Sequence, residues 1–353
     1  MLGSLNMGVD IKDQNLRSDI MNYDPDELAG IVSSYGEKRF RGKQIFEWLS
    51  KGISDFDEMK NVPIKLRKKL SEEFYIGIPN AVIVQHSKND DTRKCLFEFA
   101  DGAHVESVFM KYTYGNSICI SSQVGCRMGC TFCASTRKGL ERSLSGGEML
   151  SQILKMKEIT GEDIRHVVVM GMGEPFDNYV GLSKFLSLIH DKRGYGLSMR
   201  NITVSTCGLI PMIERFGTDF PQVNLAVSLH APNDEIRKRT MPVARKFAYN
   251  DLLDTCKNYT KKTGRRITFE YALIDGVNDQ VKHAEELGKK LSGWLTHVNL
   301  IPLNEVDGTG YNTAKKETIH DFSRVLESYG VTVTVRRTLG TDIDAACGQL
   351  RLR

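Results

Sequence analysis

The chain has 353 residues, 41% of them hydrophobic and 26% charged, and 48 Lys and Arg against 44 Asp and Glu give a formal charge of +4. A chain this long can bury a core without disulfide staples, as two domains or as one barrel with an appendage. No apolar run approaches the roughly 18–20 residues that cross a bilayer, and mean hydropathy is −0.30, which excludes a membrane-spanning helix. The small positive charge permits nucleic-acid binding without implying it. The N-terminal residues lack a basic start followed by an apolar stretch, so no secretory signal is expected and the expected location is cytoplasmic. Thiols stay reduced there, so the eight cysteines read as metal ligands, catalytic thiols or buried apolar residues.

Residues 1–24 are polar and weakly patterned, and a loose N-terminus is expected. From Asp26 to Phe74 the pattern is helical: Ile45, Trp48 and Leu49 recur on one helical face. Two basic clusters lie here, Lys38, Arg39, Arg41 and Lys43, then Lys65, Arg67, Lys68 and Lys69. Each alone reads as a solvated helix face. Short alternating runs at 81–86, 95–99 and 104–110 predict a small meander of strands. Residues 25–112 are therefore expected to form an accessory domain of helices followed by short strands.

After Ser117 strand-like and helix-like segments alternate. The strands are SICISS (117–122), RHVVVMG (165–171), NITVS (201–205), VNLAVSLH (223–230), RITFEY (266–271) and HVNLIPL (297–303). Six such β/α units predict an α/β fold, a partial barrel over 113–353, with VTVTVRR (331–337) as one more strand. In such barrels the chemistry collects at the C-terminal ends of the strands.

Cys126, Cys130 and Cys133 form a CxxxCxxC just after the first of these strands. Three thiolates there can converge on one soft metal centre. A structural zinc site would need a fourth ligand from elsewhere in the chain. An iron–sulfur cube held by three cysteines leaves one iron open. The loop after the second strand, Met170-Gly171-Met172-Gly173-Glu174-Pro175, places glycines and a carboxylate where a ligand could lie. Ser205, Ser228, Leu229, His230 and Asn304 stand at other strand ends, where a turn residue and a ligand contact are equally good readings. Cys347 lies in a small-residue segment near the C-terminus and reads equally well as core or as a mobile thiol. The run HVESVFM reads as an alternating strand, which on its own favours an exposed Glu106. Cys95, Cys207 and Cys256 read as buried and receive no role.

The CxxxCxxC after the first strand of a partial barrel resembles the radical S-adenosylmethionine (SAM) superfamily. That resemblance implies a [4Fe-4S] cluster on Cys126, Cys130 and Cys133. It also implies that SAM chelates the open iron and is cleaved by one electron to a 5′-deoxyadenosyl radical. ISSQVGCRMGCTFC, MGMGEP, VSLHAPNDEIR, VNLIPLN and DIDAACGQL together resemble the radical SAM methyltransferases of RNA adenine, from about Glu37 onward. Pro175 and VRRT at 335–338 resemble the branch that methylates carbon 2 in both 23S ribosomal RNA and transfer RNA. The sister branch that methylates carbon 8 remains the alternative. A glycyl-radical activase would leave Cys347 without a role, and a zinc-bearing RNA-binding module is the non-enzymatic alternative.

The resemblance implies a role for each matched position. Cys347 is methylated by one SAM, a second SAM supplies the radical, and Cys119 later forms a transient disulfide with Cys347. Glu106 accepts a proton. Gly173, Glu174, Ser205, Ser228, Leu229, His230 and Asn304 contact SAM. The implied partners are 23S rRNA, tRNA and an electron donor such as flavodoxin, with the enzyme a monomer. The basic clusters, together with Arg336, Arg337, Arg351 and Arg353, are then expected to dock RNA.

Overall fold

The computed structural model describes residues 17–350. Arg351 and Arg353 lie outside them. Three helices come first: α1 (Pro25–Ser34), α2 (Phe40–Leu49) and α3 (Ile64–Glu73). Asp24 starts α1 because its carboxylate accepts from the N–H groups of Asp26 and Glu27, Glu27 returns a bond to the Asp24 N–H, and Pro25 fixes the first turn. Ile45 and Leu49 are buried as the helical pattern requires, and Trp48 is half-buried. Helix α2 lies close on α1 at Gly42, where a Cβ would stand 2.4 Å from the Ala29 nitrogen.

The expected loose N-terminus is corrected from Arg17 onward; residues 1–16 lie outside the described residues. β1 (Ser18–Asp19) pairs in parallel with β2 (Phe74–Tyr75), and Ile20 and Met21 are buried. Apolar burial that short-range polarity does not announce overrides the polar texture of this segment. The same segment fastens the helices to the barrel. Asn22 accepts from the Gly147 N–H at 3.1 Å, Lys184 pairs with Asp24 at 3.2 Å, and Arg193 pairs with Asp26 at 2.9 Å.

β3 (Asn80–His86), β4 (Arg93–Glu98) and β5 (His104–Met110) form an antiparallel meander. It is not a separate layer. β5 pairs antiparallel with β6 (Ser117–Ile120), so the meander continues the main sheet. A hairpin, β7 (Gln123–Gly125) with β8 (Leu140–Ser143), brackets the cysteine triplet. β9 (His166–Val169), β10 (Ile202–Thr206), β11 (Asn224–Ser228), β12 (Ile267–Leu273), β13 (Thr296–Pro302) and β14 (Thr332–Val335) then join β6 in parallel, in chain order. The result is one ten-stranded sheet.

The crossovers carry helices α4 (Gly146–Thr160), α5 (Tyr179–His190), α6 (Ile210–Asp219), α7 (Asp234–Thr240), α8 (Tyr249–Thr263), α9 (Val281–Leu291) and α10 (Lys316–Ser328). Val167, Val204, Val227, Phe269 and Leu300 are fully buried in the sheet, as parallel strands covered by helices demand. This is the partial barrel of six β/α units. β14 ends at Val335, so Arg336 and Arg337 begin the segment that returns over the barrel. No helix among the described residues is long and apolar enough to cross a membrane.

Asp19 carries a strained charge. Its Oδ1 accepts from the N–H groups of Met21 and Gly77, while Oδ2 is buried without a partner. Burial raises its pKa to about 7. The folded state therefore holds a proton that the unfolded chain has lost by pH 5. Stability from this group is full below about pH 4 and falls as pH rises through 7. Asp19→Asn keeps the Oδ1 acceptor and removes the charge. It should raise unfolding stability at pH 8 by about 1–3 kcal/mol and change it little near pH 4. Urea unfolding at the two pH values measures this, and an equal effect at both would contradict the assignment.

Candidate active site

The site is built where the parallel strands end. A cavity open to solvent is lined by Cys126, Cys130 and Cys133 from the loop between β7 and β8. Gly173 and Glu174 line it from the loop after β9, and Ser205, Ser228, His230 and Asn304 from the later strand ends. Of the positions expected to contact SAM, Leu229 alone does not line it. Leu229 is fully buried, and its carbonyl accepts from the Arg237 Nε at 3.3 Å.

The cysteine loop is held by backbone bonds. The Cys126 N–H donates to the Gly139 carbonyl and the Cys133 N–H to the Cys130 carbonyl. Burial pushes all three thiols up, that of Cys126 to about 12, so bound iron would have to displace their protons. Among the described residues no three His, Cys, Asp or Glu side chains gather tightly enough to hold one metal ion. A cube takes one thiolate per iron and spaces its ligands more widely than a single ion does. Three thiols on one wall of an open cavity fit such a cluster, and the strand ends that complete the lining face it.

Gly173 adopts φ +100°, and a Cβ there would stand 2.6 Å from the Gln123 Cβ. Only glycine lets this loop lie against the cysteine loop. Glu174 is buried, and its carboxylate accepts from the Cys207 N–H at 2.7 Å and the Phe176 N–H at 3.0 Å. It thus ties the loop after β9 to the end of β10. His230 stands at φ +51°, held by its Nδ1 accepting from the Ala272 N–H and by its carbonyl accepting from Asn278. Burial and the nearby Arg237 drop its pKa to about 3, so the ring is neutral.

A second, smaller cavity adjoins the first and is lined by Cys119, Val108 and Tyr112. Cys347 lines both cavities, as do Met170, Asn304 and Arg336. The segment bearing Cys347 is pinned from several sides. Asn304 donates to the Cys347 carbonyl at 3.0 Å, the Ala134 N–H to the Gly348 carbonyl at 2.8 Å, and Ser135 to the Leu350 carbonyl at 2.9 Å. Burial pushes the Cys119 thiol up to about 12, with Arg336 opposing.

Glu106 is not exposed, as its strand pattern alone suggested. β5 is buried on both faces, and Glu106 is 1% exposed, paired with Lys94 at 3.3 Å. It lies on β5 two residues from Val108, which pairs with Cys119. Lys94 also donates to the Asp344 carbonyl at 3.3 Å, three residues before Cys347. Arg336 is corrected likewise: it faces the cavities rather than an outer docking surface.

Glu270 lines the main cavity, accepts from Asn299 at 2.9 Å, and escaped the sequence reading. A lone carboxylate within the apolar parallel strand ITFEYAL was the available signal. Cys207 also lines the main cavity, whereas Cys95 and Cys256 are core residues.

Residues 120–287 match the radical SAM superfamily, and residues 18–76 match the ribosomal RNA large subunit methyltransferase N-terminal domain. A crystal structure of a radical SAM methyltransferase from Sphaerobacter thermophilus superposes with a TM-score of 0.92 at 40% identity, covering 95% of this chain and all of that one. Fold and site thus define a radical SAM enzyme, with a [4Fe-4S] cluster and SAM as its cofactors. The chain is 52% identical over 94% of its length, and 97% of the relative's, to a probable dual-specificity RNA methyltransferase RlmN of Alkaliphilus oremlandii. It is 50% identical over 94% of its length to the protein of the same description from Clostridium perfringens, of which 96% is covered. The chain belongs to the RlmN family of radical SAM RNA methyltransferases.

Asn304→Ala removes one tie on the Cys347 segment. It should cost about 0.5–1.5 kcal/mol and speed hydrogen exchange at Ala346–Gln349, read by mass spectrometry. Unchanged exchange there would show that the other ties suffice.

Proposed function

We propose that this enzyme methylates carbon 2 of adenine in 23S rRNA and tRNA through Cys347 and Cys119. The observation that carries this reading is the position of Cys347. It stands on the wall shared by the cavity of the cysteine triplet and the cavity of Cys119. When bound, the cluster and SAM supply a methyl group and a radical that abstracts hydrogen. Cys126, Cys130 and Cys133 hold the cluster, and Gly173, Glu174, Ser205, Ser228, His230 and Asn304 shape the space for SAM.

Cys347 receives the methyl on sulfur and passes its carbon to the base. Once the adduct radical has given up its electron and the carbon-2 proton, the Cys119 thiolate attacks the Cys347 sulfur and forms a disulfide, while the electron pair of the broken S–C bond goes to that carbon, which takes up a proton to become the methyl on RNA. Both thiols line one cavity, so only a short approach separates them. Glu106 accepts a proton in this resolution, and Lys94 holds its carboxylate beside the Cys347 segment. The disulfide must be reduced for each turnover, which fits a cytoplasmic enzyme supplied by cellular thiols. Arg137 and Lys138 are exposed beside the triplet and form a basic rim suited to an acidic electron carrier such as flavodoxin.

The target base must leave its stack to reach the cavity. The helical module of residues 25–73 would dock the RNA. Its free charges differ from those expected, because Arg67 is tied to Asp57 at 3.0 Å and Lys69 lies over the Tyr35 ring at 4.7 Å. Lys38, Arg39, Lys65 and Lys68 remain exposed.

Reversing those four charges should weaken RNA binding by roughly tenfold or more and flatten its salt dependence. An unchanged salt slope would remove this face from the RNA site. For the chemistry, Cys119→Ala expressed with RNA should accumulate a covalent enzyme–RNA adduct through Cys347. Normal cluster content with no adduct would exclude the two-thiol route. Mass spectrometry of the product nucleoside should show 2-methyladenosine, and 8-methyladenosine would transfer the reading to the sister reaction.

A further inference from the structure

We infer that Arg336 reads the target base by donating a hydrogen bond to a ring nitrogen beside the methylated carbon, N1 or N3 of adenine. The inference rests on the carbon-2 reading above. It starts from a cation without a partner. Arg336 follows directly on β14, and its N–H donates to the Leu300 carbonyl at 2.8 Å, which fixes where its side chain begins. Its guanidinium has no hydrogen bond or ion pair among the described residues. It is half-buried in the cavity wall.

Among the described residues it is the only lysine or arginine that lines both cavities. The groups around it are the Cys347 and Cys119 thiols, the Glu270 carboxylate and the Tyr112 phenol. Glu270 accepts from Asn299 on one oxygen and acts on the guanidinium through charge, with no direct bond between them among the described residues. Its donors open on the cavity, so a ligand that displaces solvent there must supply acceptors or leave them unpaired.

The chemistry says which acceptors arrive. The carbon that takes the Cys347 methyl must come beside Cys347, and Cys119 later attacks that sulfur in line with the bond it breaks, so the carbon lies across Cys347 from Cys119. Arg336 lines the same wall. Carbon 2 of adenine is flanked on both sides by ring nitrogens with free lone pairs. A guanidinium beside carbon 2 therefore meets an acceptor on whichever side it stands, and it donates only.

The contact transfers no proton and breaks no bond. It withdraws electron density from the ring where a carbon radical adds, and it fixes the base edge. Guanine carries an amino group on that carbon and a proton on N1, so it offers the guanidinium a poorer edge. Tyr112, whose ring stacks on Tyr114 at 4.9 Å, adds an aromatic face at the same cavity.

The test separates the base from the thiol. Arg336→Met and Arg336→Lys are made in the parent and in the Cys119→Ala background, with thermal melting to confirm folding. Methylation of Cys347 is read by peptide mass, and adduct yield by gel shift. In Arg336→Met, Cys347 methylation should stay within about twofold while adduct falls at least ~10-fold; Arg336→Lys should retain an intermediate yield. RNA carrying 1-deazaadenosine or 3-deazaadenosine at the target removes one ring nitrogen at a time. One of the two should weaken binding to the unreduced, Arg-bearing enzyme several-fold, by roughly 3–10-fold, and make no further difference in Arg336→Met.

A deaza penalty that persists undiminished in Arg336→Met overturns the inference. So does loss of Cys347 methylation together with the adduct, which would place Arg336 at the thiol. Failure of the parent to methylate Cys347 would instead refute the two-thiol reading, and the binding comparison would still decide the role of Arg336.

Discussion

Everything at this site depends on how the segment after β14 is pinned across the open ends of the strands. Gly340 donates to Asp90 and Lys94 to the Asp344 carbonyl, which binds the segment to the meander. Asn304 holds Cys347 from the end of β13, and Ala134 and Ser135 hold Gly348 and Leu350 from the cysteine loop. Most of these bonds run to backbone atoms, so they fix the path of the chain without using its side chains. The Cys347 sulfur is left at the wall between two cavities. Each bond is worth only about a kilocalorie, and a segment held this way can open locally while the barrel stays folded. A thiol that must meet a cofactor, a base and a second thiol in turn needs that combination of placement and compliance.

The second constraint is the continuity of the sheet. β5 hydrogen-bonds to β6, so the meander shares the register of the barrel. Val108 pairs with Cys119, Lys94 pairs with Val108, and Leu96 pairs with Glu106. The side-chain period of two then puts Lys94, Glu106 and Cys119 on one face. A slip of one residue in any of these strands would turn its member away from the other two. The accessory strands are thus part of the active site, while the N-terminal helices are fastened to α4 and α5 through Asn22 on Gly147 and Asp24 on Lys184.

This division explains what the sequence reveals and what it conceals. The triplet Cys126, Cys130 and Cys133 is legible because its ligands are close in the chain. The six parallel strands are legible because strands buried on both faces read as apolar runs, and their C-terminal ends locate the loops. Pairing between β5 and β6 is not legible, since both strands show the same texture whether paired or apart. The burial of Glu106 follows from that pairing and from Lys94, so alternation within HVESVFM misjudged it. Arg67 and Lys69 look like free charges in sequence, but Asp57 and Tyr35 occupy them through contacts set by the turn between helices. Leu229 shares a motif with Ser228 and His230 yet points into the core, because neighbouring strand residues face opposite ways.

The placement of Arg336 and Glu270 carries this one step further. Both are charged, both line the main cavity, and neither belongs to a motif of clustered residues. Glu270 comes from the middle of β12 and Arg336 from just beyond β14, which is separated from it in the sheet by β13. Asn299 of β13 donates to one oxygen of Glu270 and holds the carboxylate in the wall, short of a direct bond to the arginine. Had Glu270 and Arg336 formed a direct pair, the cavity would be neutral and self-satisfied there. Inserting Asn299 between the demands of the two charges keeps a fixed cation turned toward the sulfurs. The barrel thus presents a donor at the place where a heteroaromatic base, rich in acceptors and poor in charge, has to be held.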